Sequence, residues 1–500
     1  MEKKEAMDKV FFAMQKVRNE RIFQEMKNIN DFMKQKGISG VFVKGLTLAY
    51  DLYETPDKRI FEDIDFFVQQ KDLAVFNEYL SEKGYLHDWG EKVSPNGGIF
   101  KNYIPIHLPA FIKEDIVLEV HIMPYFTNSF TNMTLEEEAY NEFFSDITYI
   151  TIKGEEFPVL KPNNNALFLL DHFIKHITYY LKHYASSGNL DLHLDVEKLD
   201  EARKYIQSKG VTFENLLPIA KRYNSVPVLV TAFKYLDELF ENEEWISEKE
   251  RFDILIKEYV NKYPIFENKL LGRLYSVSLK DIIDNCENKK FFSDIISSLP
   301  YTPAQRLKVP YKHKSSCGTV FWIDPKNPTN KFNSHWIQKN LDFKEYDFLI
   351  RNTVFADEGG LSFHSIIRDD SLAYNESNLL IFRFINEHKN PYEPETLYVR
   401  MNYPEGDKNN IRYHFVRGSS EEYQLDKISC INLDDKHYSV FVTIPWEMVG
   451  IEPEIGNSVK FEMIVYGTKR DTIWDIWGYG SVDRVCDPLS FTLLELTEEQ

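Results

Sequence analysis

Apolar residues at Val10, Phe11, Met14, Val17, Phe23, Met26, Ile29 and Met33 recur at helical spacing. They predict one long helix over residues 7–35, stopped at Gly37. The period then shortens. A strand over 41–44, a glycine turn at Gly45, a short helix over 46–53 and a strand over 60–68 follow. Asp72 starts a helix that runs to Glu82 and ends at Gly84. Turn chemistry at Asn96-Gly97-Gly98 precedes an extended segment over 99–107, and another apolar strand covers 115–122. The order βαβαββ predicts a small mixed sheet flanked by helices.

From about residue 162 the pattern is helical throughout. Leu167, Leu170, Phe173, Ile174, Ile177 and Leu181 share one side of a helix over 163–184, and further helices are expected over 195–207, 214–221, 226–240, 249–262 and 267–283. From about residue 305 the period becomes two. Tyr438, Val440, Val442 and Ile444 alternate with Ser439, Phe441 and Thr443. Strands are expected at 378–385, 396–403, 411–416, 428–432, 437–444, 458–466 and 490–495. Many short alternating strands predict an antiparallel β-sandwich. The fold class is therefore multidomain α+β, with boundaries at 1–160, 161–304 and 305–500.

Charge narrows the function classes. The formal net charge is −19 over 500 residues. A surface that acidic repels a phosphate backbone, and no long Lys/Arg run offsets it, which argues against a nucleic-acid partner. Cys286, Cys317, Cys430 and Cys486 lie far apart and form no C-x-x-C pair, the pattern of free thiols in a reducing compartment. The first residues lead into an amphipathic segment rather than a signal-peptide core. No stretch approaches the ~18 apolar residues a membrane span needs. The expectation is a cytoplasmic protein with no membrane partner.

The candidate chemistry lies in Lys44-Gly45-Leu46-Thr47, Arg59 and Asp63-Ile64-Asp65. Residues two apart in a strand share a face, so Asp63 and Asp65 project together. Paired carboxylates repel unless a cation sits between them, and hard oxygens suit Mg²⁺ (or Mn²⁺). A glycine turn before a helix presents backbone N–H groups to a phosphate. The set is the minimal equipment for metal-assisted nucleotidyl transfer. Each residue also has a plain structural reading: Asp63 and Asp65 as solvated strand-end groups, Lys44 as a surface lysine, and Arg59 as the ion-pair partner of Asp57 or Glu62.

Lys44-Gly45, Arg59, Asp63-Ile64-Asp65 and the later Leu118-Glu119-Val120-His121 resemble the DNA polymerase beta-type nucleotidyltransferase superfamily, most of all an uncharacterised bacterial branch, over about residues 35–200. The resemblance implies that Asp63, Asp65 and Glu119 hold the metal and carry catalysis. It implies that Lys44, Gly45, Thr47 and Arg59 contact the nucleoside triphosphate. The superfamily's usual turn is Gly-Ser or Gly-Gly, whereas this chain has Gly45-Leu46. His121, together with His172, His176 and Asp195 in the following helical region, are accessory candidates for metal or nucleotide contact. His172 and His176, one helical turn apart, also read as packing histidines.

The segment Val440–Phe461, with Ile444-Pro445-Trp446, Gly450, Pro453 and Gly456, resembles family-9 carbohydrate-binding modules and DOMON-like sandwiches. That resemblance implies stacking of exposed aromatic rings on sugars, with Trp474, Trp477 and Tyr479 in a loop-like region as the candidates. The function expected is transfer of a nucleoside monophosphate from a triphosphate to a hydroxyl or phosphate on a small-molecule, sugar or protein acceptor, with a saccharide-related acceptor favoured. The alternatives are a non-catalytic protein that binds nucleotide or glycan, and a toxin-type nucleotidyltransferase acting on protein or tRNA.

Overall fold

A computed structural model describes residues 2–87, 92–93, 99–100, 108, 110–125, 137–187, 196–240, 245, 249–262, 266–286, 288–299, 306–311, 319–323, 348–369, 377–385, 395–402, 412–417, 421–422, 428–432, 437–468, 473–479 and 492–498. The first strands are β1 (Gly40–Val43), β2 (Asp63–Val68), β3 (Leu86–His87), β4 (Ile99–Phe100), β5 (Phe111–Lys113), β6 (Ile116–His121), β7 (Ile147–Ile152) and β8 (Glu155–Leu160). Seven of them form a mixed sheet in the order β3-β5-β6-β2-β1-β8-β7. β2 runs antiparallel to β1 and parallel to β6.

Helices cover both faces of this sheet. Helix α1 (Glu2–Lys36) buries Phe23, Met26, Ile29 and Met33 of the expected stripe together with Ile22, whereas Met14 and Val17 of that stripe are exposed. Phe23 meets Phe157 of β8 edge-on at 5.9 Å. Phe42 and Phe66 sit 5.1 Å apart on the same face, with Phe76 of α3 (Leu73–Glu82) 5.3 Å beyond. On the opposite face Phe67 packs against Phe143 of α4 (Glu137–Ser145) and Phe168 of α5 (Pro162–Ser187). The chain continues through α6 (Glu197–Lys209), α7 (Phe213–Arg222), α8 (Val226–Leu239), α9 (Lys249–Lys262), α10 (Phe266–Tyr275), α11 (Leu279–Asp284) and α12 (Lys289–Ser297). Sheet and helices share one continuous apolar cluster from Ile22 to Leu299.

Gly40 sits where the space is smallest. A Cβ there would overlap the Met33 sulfur and the Phe66 ring, both fully packed. Gly40→Ala is expected to cost about 1–3 kcal/mol through overpacking, read as a lower denaturant midpoint at unchanged slope.

The later strands are β9 (Arg306–Pro310), β10 (Thr319–Ile323), β11 (Phe348–Asp357), β12 (Gly360–Asp369), β13 (Ser377–Ile385), β14 (Glu395–Asn402), β15 (Arg412–Arg417), β16 (Glu421–Glu422), β17 (Ile428–Asn432), β18 (His437–Ile444), β19 (Ser458–Thr468), β20 (Ile473–Tyr479) and β21 (Thr492–Thr497). One sheet runs β10-β11-β12-β18-β17, the other β16-β15-β14-β13-β19-β20-β4, with β21 between β19 and β9. Phe363 of β12 lies 4.8 Å from Phe382 and 5.3 Å from Phe461 of the second sheet, so the two sheets meet through aromatic rings in a second apolar cluster.

The structure departs from the sequence expectations at several points. A hairpin over 147–160 joins the first sheet; its turn residues, Lys153 and Gly154, both have positive φ (52° and 85°), as a two-residue primed turn requires. The helix expected over 267–283 breaks after Tyr275, and the Ser278 hydroxyl accepts from Asp281 N to start α11. Strands β9 to β12 were not anticipated. The segment expected over 99–107 is described only at β4, which pairs in parallel with β20 rather than with the first sheet; Asn96-Gly97-Gly98 and 101–107 lie outside the described residues. No described helix is long and apolar enough to cross a membrane.

Candidate active site

The site begins where β1 ends. Lys44 takes φ 50° and ψ −140°, an uncommon conformation for a residue with a Cβ, and Gly45 follows at φ 42°. Glycine is favoured here by the positive φ; a Cβ would meet only ordinary contact with the Asp63 carbonyl at 3.4 Å. Helix α2 (Gly45–Leu52) starts at once. The Thr47 hydroxyl donates to the Lys44 carbonyl at 2.8 Å, so its side chain closes the turn.

Arg59 holds this turn from outside. Its guanidinium donates to both carboxylate oxygens of Glu201 on α6, at 2.5 and 3.0 Å, and to the Gly45 carbonyl at 3.1 Å. The Tyr53 hydroxyl donates to the same Glu201 at 2.9 Å. The partner is thus Glu201, not Asp57 or Glu62. Lysine cannot reproduce this three-point fork. Arg59→Lys is expected to cost about 1–3 kcal/mol and to loosen the turn, read as a lower denaturant midpoint with faster amide exchange at Gly45.

Asp63 and Asp65 stand two apart on β2, and Glu119 of β6 is paired directly with Asp65. The Lys44 ammonium lies 2.6 Å from Asp65 Oδ1, both side chains almost fully buried. This lysine is therefore no surface group. His121 Nε2 lies 3.0 Å from the same oxygen and 4.0 Å from Glu119 Oε2. Burial pushes the Asp65 carboxyl up, but the Lys44 ammonium and the His121 hydrogen bond outweigh it and hold it well below the usual carboxylate range. For Asp63, burial and then the Asp65 charge raise the carboxyl to about 7, with Lys44 opposing and Glu119 reinforcing.

Ligand atoms of Asp65, Glu119 and His121 all lie within 4.8 Å of one another. The close trio thus contains His121 where the sequence reading placed Asp63, which stands two residues before Asp65 on β2. His121 rests against the rings of Phe67 and Phe168, at 5.0 and 5.9 Å.

Helix α5 supplies the opposite wall. His172 Nε2 is 3.1 Å from the Lys44 ammonium and 3.0 Å from His176 Nε2. Burial, then the neighbouring cations, holds the His172 imidazole well below its ordinary value and takes His176 down to about 3. Asp195 lies outside the described residues. Trp474, Trp477 and Tyr479 fall in strand β20, paired along β19, and not in a loop. Nothing local in the sequence distinguishes Glu201 from a solvated helix residue. A separate cavity of about 270 Å³ opens between α2, β7 and α6, bordered by Asp51, Tyr149, Asn165 and Lys209 and by none of the three clustered residues.

No curated protein matches this chain. Two solved structures of a carbohydrate binding module family 9 from Caldicellulosiruptor kristjanssonii, in complex with glucose and with cellotriose, are similar to 39% of it at 13% identity. They are covered over 97% and 95% of their own length, with TM-scores of 0.24 and 0.22. Residues 7–241, which contain the carboxylates, the glycine turn and the histidine helix, match the model of a family described as uncharacterised nucleotidyltransferase, and that match supports a nucleotidyl-transfer role.

Proposed function

We propose that this protein transfers a nucleoside monophosphate from a nucleoside triphosphate to a hydroxyl or phosphate acceptor, with a dication held by Asp65, Glu119 and Asp63. The observation that carries the reading is the register of β2 on β6, which brings the Asp65 and Glu119 carboxylates together beside the Lys44-Gly45 turn.

The residues fit a hard dication. Their donors are carboxylate oxygens, which suit Mg²⁺ or Mn²⁺. Asp65 Oδ1 already attracts a cation, the Lys44 ammonium. His121 is better suited to positioning: a ring nitrogen that donates to Asp65 has no lone pair left to ligate through that atom. When bound, the metal neutralises charge on the phosphates and on the leaving pyrophosphate.

The chain's own groups do the rest. The first N–H groups of α2 have no partner within the helix and face phosphate oxygens. Arg59 and Glu201 keep that turn in place. Glu119, whose side chain is 29% exposed, is the carboxylate an incoming acceptor reaches, and its oxygen accepts the hydrogen bond of the attacking hydroxyl. Lys44 balances the charge that builds on the departing phosphates.

The test is pyrophosphate release from each of the four common triphosphates, with Mg²⁺ or Mn²⁺, across a panel of hydroxyl and phosphate acceptors. Release by the wild type, lost in Asp65→Asn and Glu119→Gln, is expected. Triphosphate binding with no release under any condition would mean a binding protein instead.

A further inference from the structure

The cavity of about 270 Å³ between α2, β7 and α6 lies apart from the clustered carboxylates. Phe42, Leu48 and Leu160 form an apolar part of its lining, and all three are almost fully buried, so this wall belongs to the packed core. An apolar cavity of roughly 150 Å³ holds one benzene ring, and in proportion this one holds a molecule of about eleven non-hydrogen atoms.

The charged and hydrogen-bonding part of the lining comes from helices. Asp51 stands on α2, Asn165 on α5, and Tyr205 and Lys209 on α6. Tyr205 and Lys209 are four residues apart and therefore share one side of their helix. Tyr205 is buried, and burial pushes its phenol up to about 12, with the hydrogen bond from Asn165 opposing and the Asp51 charge adding. The phenol thus stays protonated at neutral pH. Among the described residues no acceptor takes its O–H. The Lys209 ammonium meets Asp51 Oδ1 at 2.6 Å, and both side chains are part-exposed. An ion pair open to water is worth little, so it exchanges partners readily.

Three donors and one charged acceptor therefore border an apolar slot. Tyr205 O–H, the Asn165 amide and the Lys209 ammonium suit a carboxylate, and Asp51 suits an ammonium. A ligand bearing only an anion would meet the Asp51 charge, and one bearing only a cation would meet Lys209. A zwitterion gives each of the two a new partner where it separates them.

The geometry points to a binding site for a free α-amino acid with an apolar side chain the size of leucine or phenylalanine. The side chain lies against Phe42, Leu48 and Leu160, the carboxylate takes Lys209 and Tyr205, and the ammonium takes Asp51. The site goes beyond the nucleotidyl-transfer reading and does not rest on it, because Asp65, Glu119 and His121 do not border the cavity.

Calorimetry on the full chain in chelator tests this. The probes are L-leucine and L-phenylalanine. Each is compared with its amine (isoamylamine, phenethylamine) and its acid (4-methylpentanoate, 3-phenylpropionate), which lack one of the two charges. The wild type is expected to bind at least one amino acid, and to bind the matching amine and acid at least about tenfold more weakly. Asp51→Asn and Lys209→Gln are expected to weaken binding several-fold at nearly unchanged melting temperature. Thr148, exposed on β7, also lines the cavity, and tryptophan is a good strand former. Thr148→Trp is therefore expected to fill the space and abolish binding while the fold is kept. Binding of neither amino acid by the wild type, or wild-type affinity in Thr148→Trp, overturns the site. An amine or acid that binds as tightly as its amino acid, or wild-type affinity in both Asp51→Asn and Lys209→Gln, overturns the zwitterion. A failure to release pyrophosphate leaves the site standing, since the clustered carboxylates play no part in it.

Discussion

Asp65→Asn will lower pyrophosphate release by about 10³-fold or more and will also lower stability. On the proposed reading Asp65 is a ligand of a phosphate-binding metal, and its loss forfeits several kcal/mol of charge stabilisation, at about 1.4 kcal/mol per tenfold in rate. The stability loss has a separate origin. Asp65 is the buried counter-ion of Lys44, and breaking a buried pair costs about 3–5 kcal/mol because one charge is left behind. Asparagine keeps an acceptor for Lys44 and His121, so the loss should fall near the lower end. Glu119→Gln separates the two effects. Glu119 is part-exposed, so its substitution should shift stability by about 0.5 kcal/mol or less while reducing turnover comparably. Turnover of Glu119→Gln at the wild-type rate would remove Glu119 from the chemistry.

Asp63→Asn will stabilise the metal-free protein at alkaline pH and leave it unchanged in acid. Burial and the Asp65 charge raise the Asp63 carboxyl from 3.8 to about 7. The folded state therefore keeps a proton that the unfolded chain has released between about pH 4 and 7. Linkage then makes wild-type stability fall as pH rises through that window, and level off above it. The difference of roughly three pH units corresponds to about 4 kcal/mol, and solvent at this partly open carboxyl reduces it to about 2. Asparagine does not titrate. Urea midpoints of wild type and variant in chelator should coincide near pH 4 and diverge to a plateau by pH 8. Parallel curves across the range would mean that Asp63 titrates as an ordinary surface carboxyl.

The parts of this architecture that were legible in the sequence are those specified locally. The stripe from Phe23 to Met33, the helix after residue 162 and the alternation along 437–444 each declare their period within a dozen residues. So does the pair Asp63/Asp65, because one strand sets their common face. The hairpin over 147–160 also carries local signals, alternation and the Lys153-Gly154 turn. What stayed hidden depends on distant pairing. Glu201 meets Arg59 across 142 positions, and nothing in either neighbourhood marks the match. That Glu119 stands level with Asp65 follows from the parallel register of β6 on β2, which no single strand encodes. His121 sits on the same face as Glu119 by simple alternation, yet its closeness to Asp65 needs the second strand. Lys44 reads as a surface cation until the sheet and α5 close over it. Trp474, Trp477 and Tyr479 read as a loop in the sequence because glycine and charged residues interrupt the apolar pattern around them, but pairing with β19 makes them a strand.

The fork from Arg59 to Glu201 has a bearing on how this protein can be cut or recombined. The bend that would receive phosphate belongs to the sheet, but the carboxylate that steadies it through Arg59 arrives with a helix far downstream. A fragment ending after the last strand of the sheet would carry every acidic ligand and still lose its brace. On the proposed reading, the smallest portable unit must extend beyond residue 201, so any exchange of parts must move sheet and helices together.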